Sequence, residues 1–276
     1  MSEILTEKIY KIFTAKKIRK SWPFNPGEIK RLISRSLEHG QEIVLVTNWL
    51  GVKTTQKGMA DEADEVALIF LRENIIKEIS KLGIGIRVKI LFTDINASYL
   101  EGYTSENIDL YWSTLKPVAN RVDNNFELIR VNSELWRNLF KLDGQDDLTL
   151  DEIANKIGDT DILEEVKTRA QKVIKSPIFI DFVNMANKHS LFVKNSKMTA
   201  EEVAKRYIYF RIFARRRYKK MFPNEIYFSY AEPRFNEVII SQPSIYLYSL
   251  HRGFSDCPWF IDENYPRFVE LIKLNK

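Results

Sequence analysis

The chain has 276 residues, 45% of them hydrophobic, enough to bury a large core, which excludes both a disulfide- or metal-stapled miniprotein and a wholly disordered chain. Lys and Arg number 42 against 37 Asp and Glu, a formal net charge of +5. A uniformly basic protein is excluded as well: eight cations lie between Lys205 and Lys220 with no anion among them, and +5 less those eight leaves −3 for the rest.

In chain order, Ile43–Thr47 is a short run rich in β-branched residues and predicts a strand. Ala60–Leu82 has helix-forming composition, with Val66, Ile69, Phe70, Ile76 and Ile79 following a helical period that Glu73 interrupts. Ile86–Phe92 predicts a second strand. A crossover helix between two strands implies a parallel, right-handed unit, with ligands bound outside the carboxyl ends of the strands. Those ends are 48–57 and 93–102. Ser105–Ala119 then predicts a helix capped by Ser105 with Pro117 near its end, and Phe126–Val131 a third strand. The stretch from Asp143 to Glu165 is acidic and predicts a helical insertion running to about residue 196. Thr199–Lys220 predicts a long helix with Thr199 as its cap, and Glu225–Ser229, Val238–Ser241 and Ile245–Leu250 predict the closing strands. The expected fold is α/β, a Rossmann-like open and mostly parallel sheet flanked by helices, with the helical acidic insertion. Residues 1–140 form the first part of the core, 141–198 the insertion, and 199–276 the helix and strands that complete the core.

Cys257 is the only cysteine, so no intrachain disulfide forms, and His39, His189 and His251 are too scattered for a zinc motif. No metal and no cofactor are expected, and a reducing, cytoplasmic setting is. No run of about 18 apolar residues offers a membrane span. Cys257 itself sits beside Pro258 and Trp259 in what reads as a packed turn rather than a nucleophile's setting.

Four constellations carry candidate chemistry. Lys53, in the loop after the first strand, can bind a phosphate or carboxylate as a point charge, or form a Schiff base if desolvated. The alternative is a solvated loop lysine, and neither G-x-x-x-x-G-K-S/T nor G-x-G-x-x-G occurs to mark a nucleotide site. Asp61, Asp64 and Glu65 open the following helix, where carboxylates favour the positive end of the dipole whatever the function; they also stand where they can orient Lys53 or a substrate amine. Asp94, at the end of the second strand, occupies a position at which α/β enzymes hold substrate-binding acids, with capping of the next loop as its alternative. The basic helix sets Arg211, Arg215 and Lys219 on one stripe with Arg216, Arg217 and Lys220 beside it, and Tyr207, Phe210, Phe213 and Ala214 on another face. That stripe suits a phosphate-bearing small substrate, an RNA backbone, or water and the acidic insertion.

Taken in order, these segments resemble the pyoverdine/dityrosine biosynthesis family, whose best-known members are isocyanide synthases. The strand and loop lysine of Ile43–Lys53 come first. Met59-Ala60-Asp61-Glu62-Ala63-Asp64-Glu65-Val66-Ala67-Leu68 is similar to the family's Pro-Asp-x-x-Glu-Glu-x-Ala-Leu. Ile86–Asp94 with its terminal acid, the helix bearing Tyr111, the arginine helix ending in Phe222-Pro223, the strand Ile226–Ser229 and Pro258-Trp259 complete the series. The resemblance implies a transferase or lyase of secondary metabolism that condenses the amine of an aromatic amino acid with the carbonyl of ribulose 5-phosphate. Lys53, Asp94 and Glu65 stand as its catalytic residues, and Asp61, Arg211, Ser229 and Asn96 as substrate-binding ones. Lys53 and Arg211 would hold the sugar phosphate, and Asp94 or Glu65 would bind the ammonium or shuttle a proton. Three motifs depart from the family. Its Ser-Ile-His-Pro is Ser229-Tyr230-Ala231-Glu232-Pro233, its Asp-Gly-Arg is Asp94-Ile95-Asn96, and its Pro-Trp-His is Pro258-Trp259-Phe260, so both late histidines are missing.

Two other function classes compete. One is an RNA-binding or aminoacyl-tRNA-using protein, like the cyclodipeptide synthases, with Arg215, Arg216, Arg217, Lys219 and Lys220 on the tRNA backbone and steep salt dependence. The other is a non-enzymatic α/β interaction module with no concave polar site at its strand ends.

Overall fold

The structure, a computed structural model, describes residues 2–15, 23, 25–49, 60, 62–94, 96–131, 160–229 and 244–246. The chain opens with two amphipathic helices, α1 (Ser2–Phe13) and α2 (Pro26–Glu38), then enters strand β1 (Ile43–Asn48). Helix α3 (Glu62–Leu71), a π-helical turn (Arg72–Ile76) and α4 (Lys77–Ser80) lead to β2 (Ile86–Thr93). A second π-helical turn (Asn96–Glu101), α5 (Ser105–Val122) and β3 (Phe126–Val131) follow. After residue 159 come α6 (Thr160–Ile174), α7 (Ile178–His189), the short α8 (Leu191–Lys194), α9 (Ala200–Met221), β4 (Ile226–Ser229) and β5 (Ser244–Tyr246).

The five strands form one sheet in the order β3-β2-β1-β4-β5, and all four pairings are parallel. A parallel sheet is covered on both faces, which is why Ile43–Val46 of β1 and Ile90–Phe92 of β2 are continuous apolar runs, whereas the first half of β2 alternates, with Arg87 and Lys89 between buried Ile86, Val88 and Ile90. Ile43 and Leu45 of β1, with Val88, Ile90, Phe126 and Phe228, face a core built from α1 to α5. Val46, Leu91, Val131 and Tyr227 face the opposite core, built from α6, α7 and α9. The helices following the acidic stretch are therefore one of the two layers on the sheet.

The strand order decides where a ligand site belongs. From β1 the chain winds outward through β2 to β3, then returns to lay β4 against the other side of β1, in register from Leu45↔Ile226 to Thr47↔Phe228. The winding reverses there, and in open α/β sheets the place outside the carboxyl ends of the strands at such a reversal, here those of β1 and β4, is where ligands bind.

Two local features differ from the expectations in detail, and a third matches them. The first π-helical turn falls on Glu73, where the helical period is interrupted: Lys77 donates its N–H five residues back to Arg72, and Asn74 Nδ2 donates to Phe70 O at 3.0 Å. The extra residue in that turn leaves Glu73 partly exposed while Ile75 and Ile76 return to the core. The cap of α5 is Thr104 rather than Ser105, its hydroxyl accepting from Asn107 N, and the helix continues through Pro117 to Val122 because Leu115, Ala119 and Val122 are buried. Thr199 caps α9 as expected, in a reciprocal box: Glu202 N donates to Thr199 Oγ1, and Thr199 N donates to Glu202 Oε2 at 2.8 Å. Val238–Ser241 and the end of Ile245–Leu250 lie outside the described residues.

Candidate active site

At the carboxyl edge of β1, Trp49 continues the ladder by donating its backbone N–H to Leu91 O at 2.9 Å. Strand alternation turns its ring to the side of α3 and α5, where it is wholly buried. Asp64, in the first turn of α3, is buried to 0% exposure, and its Oδ1 accepts from Trp49 Nε1 at 3.0 Å and from the Tyr111 hydroxyl at 2.8 Å. Trp49 Nε1 also lies 3.2 Å from the Tyr111 oxygen, so three fully buried polar groups on β1, α3 and α5 meet at one point. Phe92 closes the cluster from β2, its ring centroid 5.6 Å from that of Tyr111 and 5.8 Å from that of Trp112. Burying a carboxylate is costly unless donors surround it, and here two side-chain donors act beside the positive end of a helix dipole.

Asp94 ends β2. Arg130 on β3 grips it sideways, with Nε 3.0 Å from both carboxylate oxygens and Nη2 2.9 Å from Oδ2, and the same Nη2 also reaches Asp109 of α5. Burial pushes the Asp94 carboxyl above its ordinary range; Arg130 opposes this and the neighbouring Asp109 adds to it. Arg130 is itself held above its ordinary range, because the two carboxylates outweigh its burial. Burial therefore outweighs the ion pair at Asp94, while at Arg130 the two acids outweigh burial.

On the opposite face of the sheet the second π-helical turn ends in Glu101, which is 4% exposed and accepts from the Tyr207 hydroxyl of α9 at 2.6 Å. Arg211, one turn further along α9, stands over the Tyr207 ring at 5.5 Å, and Arg206 stands over Tyr99 at 4.6 Å. The turn then leaves through Gly102 at φ +82°, where a Cβ would meet the Phe192 ring at 3.2 Å.

Of the residues named from sequence, Lys53 and Asp61 lie outside the described residues. Glu65 pairs with Arg121 of α5, 3.0 Å from its Nη2, while Asp94 pairs with Arg130, so the two acids belong to separate ion pairs. Arg211 is half-buried against Tyr207. For Asn96, which opens the second π-helical turn, and Ser229, which ends β4, the description reaches the backbone alone; so it does for Arg215, Arg216, Arg217, Lys219 and Lys220 along α9. Of the residues expected on the other face of that helix, Tyr207 and Phe210 are buried. Trp49 and Glu101 enter the site from the structure alone, and Tyr207, expected only on a face of the basic helix, becomes the partner of Glu101. Trp49 closely follows a predicted strand, which the sequence shows, but its meeting with Asp64 and that of Glu101 with Tyr207 depend on the fold.

Among the described residues no group of three or more His, Cys, Asp or Glu is arranged to hold a metal, and no helix is long and apolar enough to cross a membrane.

The fold and its polar carboxyl edge define an open, doubly wound α/β protein. No protein-family model matches the chain, and no curated protein sequence does. Among solved structures, its fold is similar to that of the PvcA protein from Pseudomonas aeruginosa, with a TM-score of 0.57 and 14% identity over 88% of this chain and 83% of that one. At that identity the likeness is one of fold.

Proposed function

We propose that this chain is a biosynthetic enzyme acting on an amino acid, aromatic by preference, whose amine it condenses with the carbonyl of ribulose 5-phosphate in the manner of the isocyanide synthases. The observation that carries the reading is the fold similarity to PvcA over 88% of the chain. The ordered motifs from Ile43–Lys53 to Ile226–Ser229 support it independently. In this reading Lys53 and Arg211 bind the phosphate; Asp61, Asn96 and Ser229 line the substrate; and Asp94 and Glu65 handle the ammonium and its protons. The ion pair to Arg130 suits an acid that must stay oriented at a strand end. Arg211 suits an anion because its guanidinium is stacked on Tyr207 and so loses little freedom on binding.

The test is incubation with each of the twenty amino acids, with and without ribulose 5-phosphate, read by mass spectrometry for a new product and repeated with Lys53→Ala and Asp94→Asn. A pentulose-dependent product that both substitutions abolish is the expected result. No product under any condition, together with retention of tRNA at low salt that disappears at high salt, would transfer the assignment to the tRNA-using class.

A further inference from the structure

We infer that Glu101 and Tyr207 are positioning residues that hold Arg211 near the carboxyl edge of the sheet for the phosphate group of a substrate. Glu101 ends the π-helical turn that follows β2, and its carboxylate accepts from the Tyr207 hydroxyl at 2.6 Å, although each residue is more than nine-tenths buried. That bond fixes the level at which α9 meets the edge. The helix leads directly into β4, so it runs from the carboxyl edge of the parallel sheet toward the amino edge. Arg211, one turn beyond Tyr207, stands over its ring at 5.5 Å. Along the helix backbone Arg215 and Lys219 follow about 6 and about 12 Å further from that edge, which leaves Arg211 as the nearest member of the stripe. Arg206, a residue before Tyr207, is turned to Tyr99 instead, over its ring at 4.6 Å.

The turn that carries Glu101 is firmly seated. Ser190 Oγ donates to Leu100 O at 3.3 Å within it, and at its exit Gly102 lies so close to the Phe192 ring that a Cβ would meet it at 3.2 Å. With its hydroxyl held by Glu101, the Tyr207 ring keeps one orientation, and a guanidinium held over that ring gives up little freedom on meeting a phosphate. Stability alone is a poor reason for the pair. Desolvating a carboxylate carries a cost that a packed apolar side chain would avoid, so its presence here points to the geometry it imposes. That the anion is a substrate phosphate rests on the proposed function; the dependence of Arg211 on Tyr207 and Glu101 does not.

The test is calorimetric titration of the full-length protein with ribulose 5-phosphate in the absence of any amino acid, with inorganic phosphate as competitor. Arg211→Ala should weaken binding about tenfold or more, as the loss of a charged donor does. Tyr207→Phe keeps the ring and loses the hydroxyl, and should weaken binding about fivefold. Glu101→Met removes the carboxylate at similar volume, should match Tyr207→Phe, and carries the test if that variant does not fold. Glu101→Gln keeps an acceptor oxygen and should stay within about twofold of the wild type. In the Arg211→Ala background Tyr207→Phe should add nothing, because its effect passes through Arg211. Thr199→Ala, which loosens the start of the same helix without touching the cluster, should leave the affinity unchanged and so separates positioning from a general loss of stability. The inference is overturned if the wild type binds no ribulose 5-phosphate, if Tyr207→Phe and Glu101→Met keep the wild-type affinity, or if Tyr207→Phe weakens binding equally with and without Arg211. A protein that follows the expected binding pattern yet forms no pentulose-dependent product would refute the proposed function and leave the positioning residues standing.

Discussion

Asp64 and Glu65 are adjacent acids at the start of one helix, and their surroundings share almost nothing. Asp64 is wholly buried among Trp49 and Tyr111, while Glu65 reaches outward to Arg121, itself largely exposed. About 100° of helical rotation separates them, which is sufficient to put one in the core and the other at its rim. In sequence both read as first-turn carboxylates favoured by the dipole. Asp94 was legible as a strand-end acid, but Arg130, its partner on β3, was not. Its proton chemistry makes a residue-level prediction. Because burial raises the folded carboxyl above the ordinary 3.8, the native state holds that proton more tightly than the unfolded chain. Its contribution to stability is therefore full below 3.8 and is lost as pH rises through the folded value. Urea unfolding between about pH 3 and pH 7 should show Asp94→Asn gaining stability relative to the wild type as pH rises. A relative loss over that range would mean that the Arg130 pair, not burial, controls the group.

Elements were more legible than individual contacts. The Thr199–Glu202 box depends on residues three apart, and local order of that kind survives in the sequence: Thr199→Ala should destabilise the protein by about 1 kcal/mol, measured as a shift in the urea midpoint at constant slope. The break in period at Glu73 was legible as an irregularity, though its form, a π-helical turn, followed only from the need to bury Ile75, Ile76 and Ile79 on one side. Glu73 supplies a prediction of opposite sign to that for Asp94. Burial by itself would raise its carboxyl, but hydrogen bonds from Lys77 and Arg72 outweigh burial and hold it below 4.5. The stabilisation is present above 4.5 and lost as pH falls through the folded value. Glu73→Gln should lower stability near neutrality by about 0.5–1 kcal/mol and narrow its difference from the wild type in acid, as followed by thermal unfolding across pH. An undiminished difference at low pH would assign the effect to packing instead.

For the whole molecule, β1 is the hinge of the architecture. It is buried on both faces, paired with β2 on one side and β4 on the other, and its carboxyl end is the point where the winding reverses. Leu45, at 0% exposure in the middle of it, lies in the core shared with α1 to α5; Leu45→Ala should cost about 2–5 kcal/mol of unfolding free energy in denaturant titration, whereas a value below 1 would mean that the sheet closes around the lost side chain. The same burial reaches the basic helix, which faces the second core at Tyr207, Phe210 and Ile212.

The strands β1 to β4, the helices from α3 onward, the parallel α/β class and the Thr199 cap were determined by the sequence alone, because propensity, periodicity and capping act over one or two turns of chain; α1, α2 and the Thr104 cap of α5 were not. Which acids are buried, and what holds them, was decided by the tertiary structure. Asp94 meets Arg130 across 36 residues, Asp64 meets Tyr111 across 47, and Glu101 meets Tyr207 across 106. Desolvation and pairing depend on those neighbours, and only the return of β4 to the side of β1 brings the two halves of the chain to the same carboxyl edge.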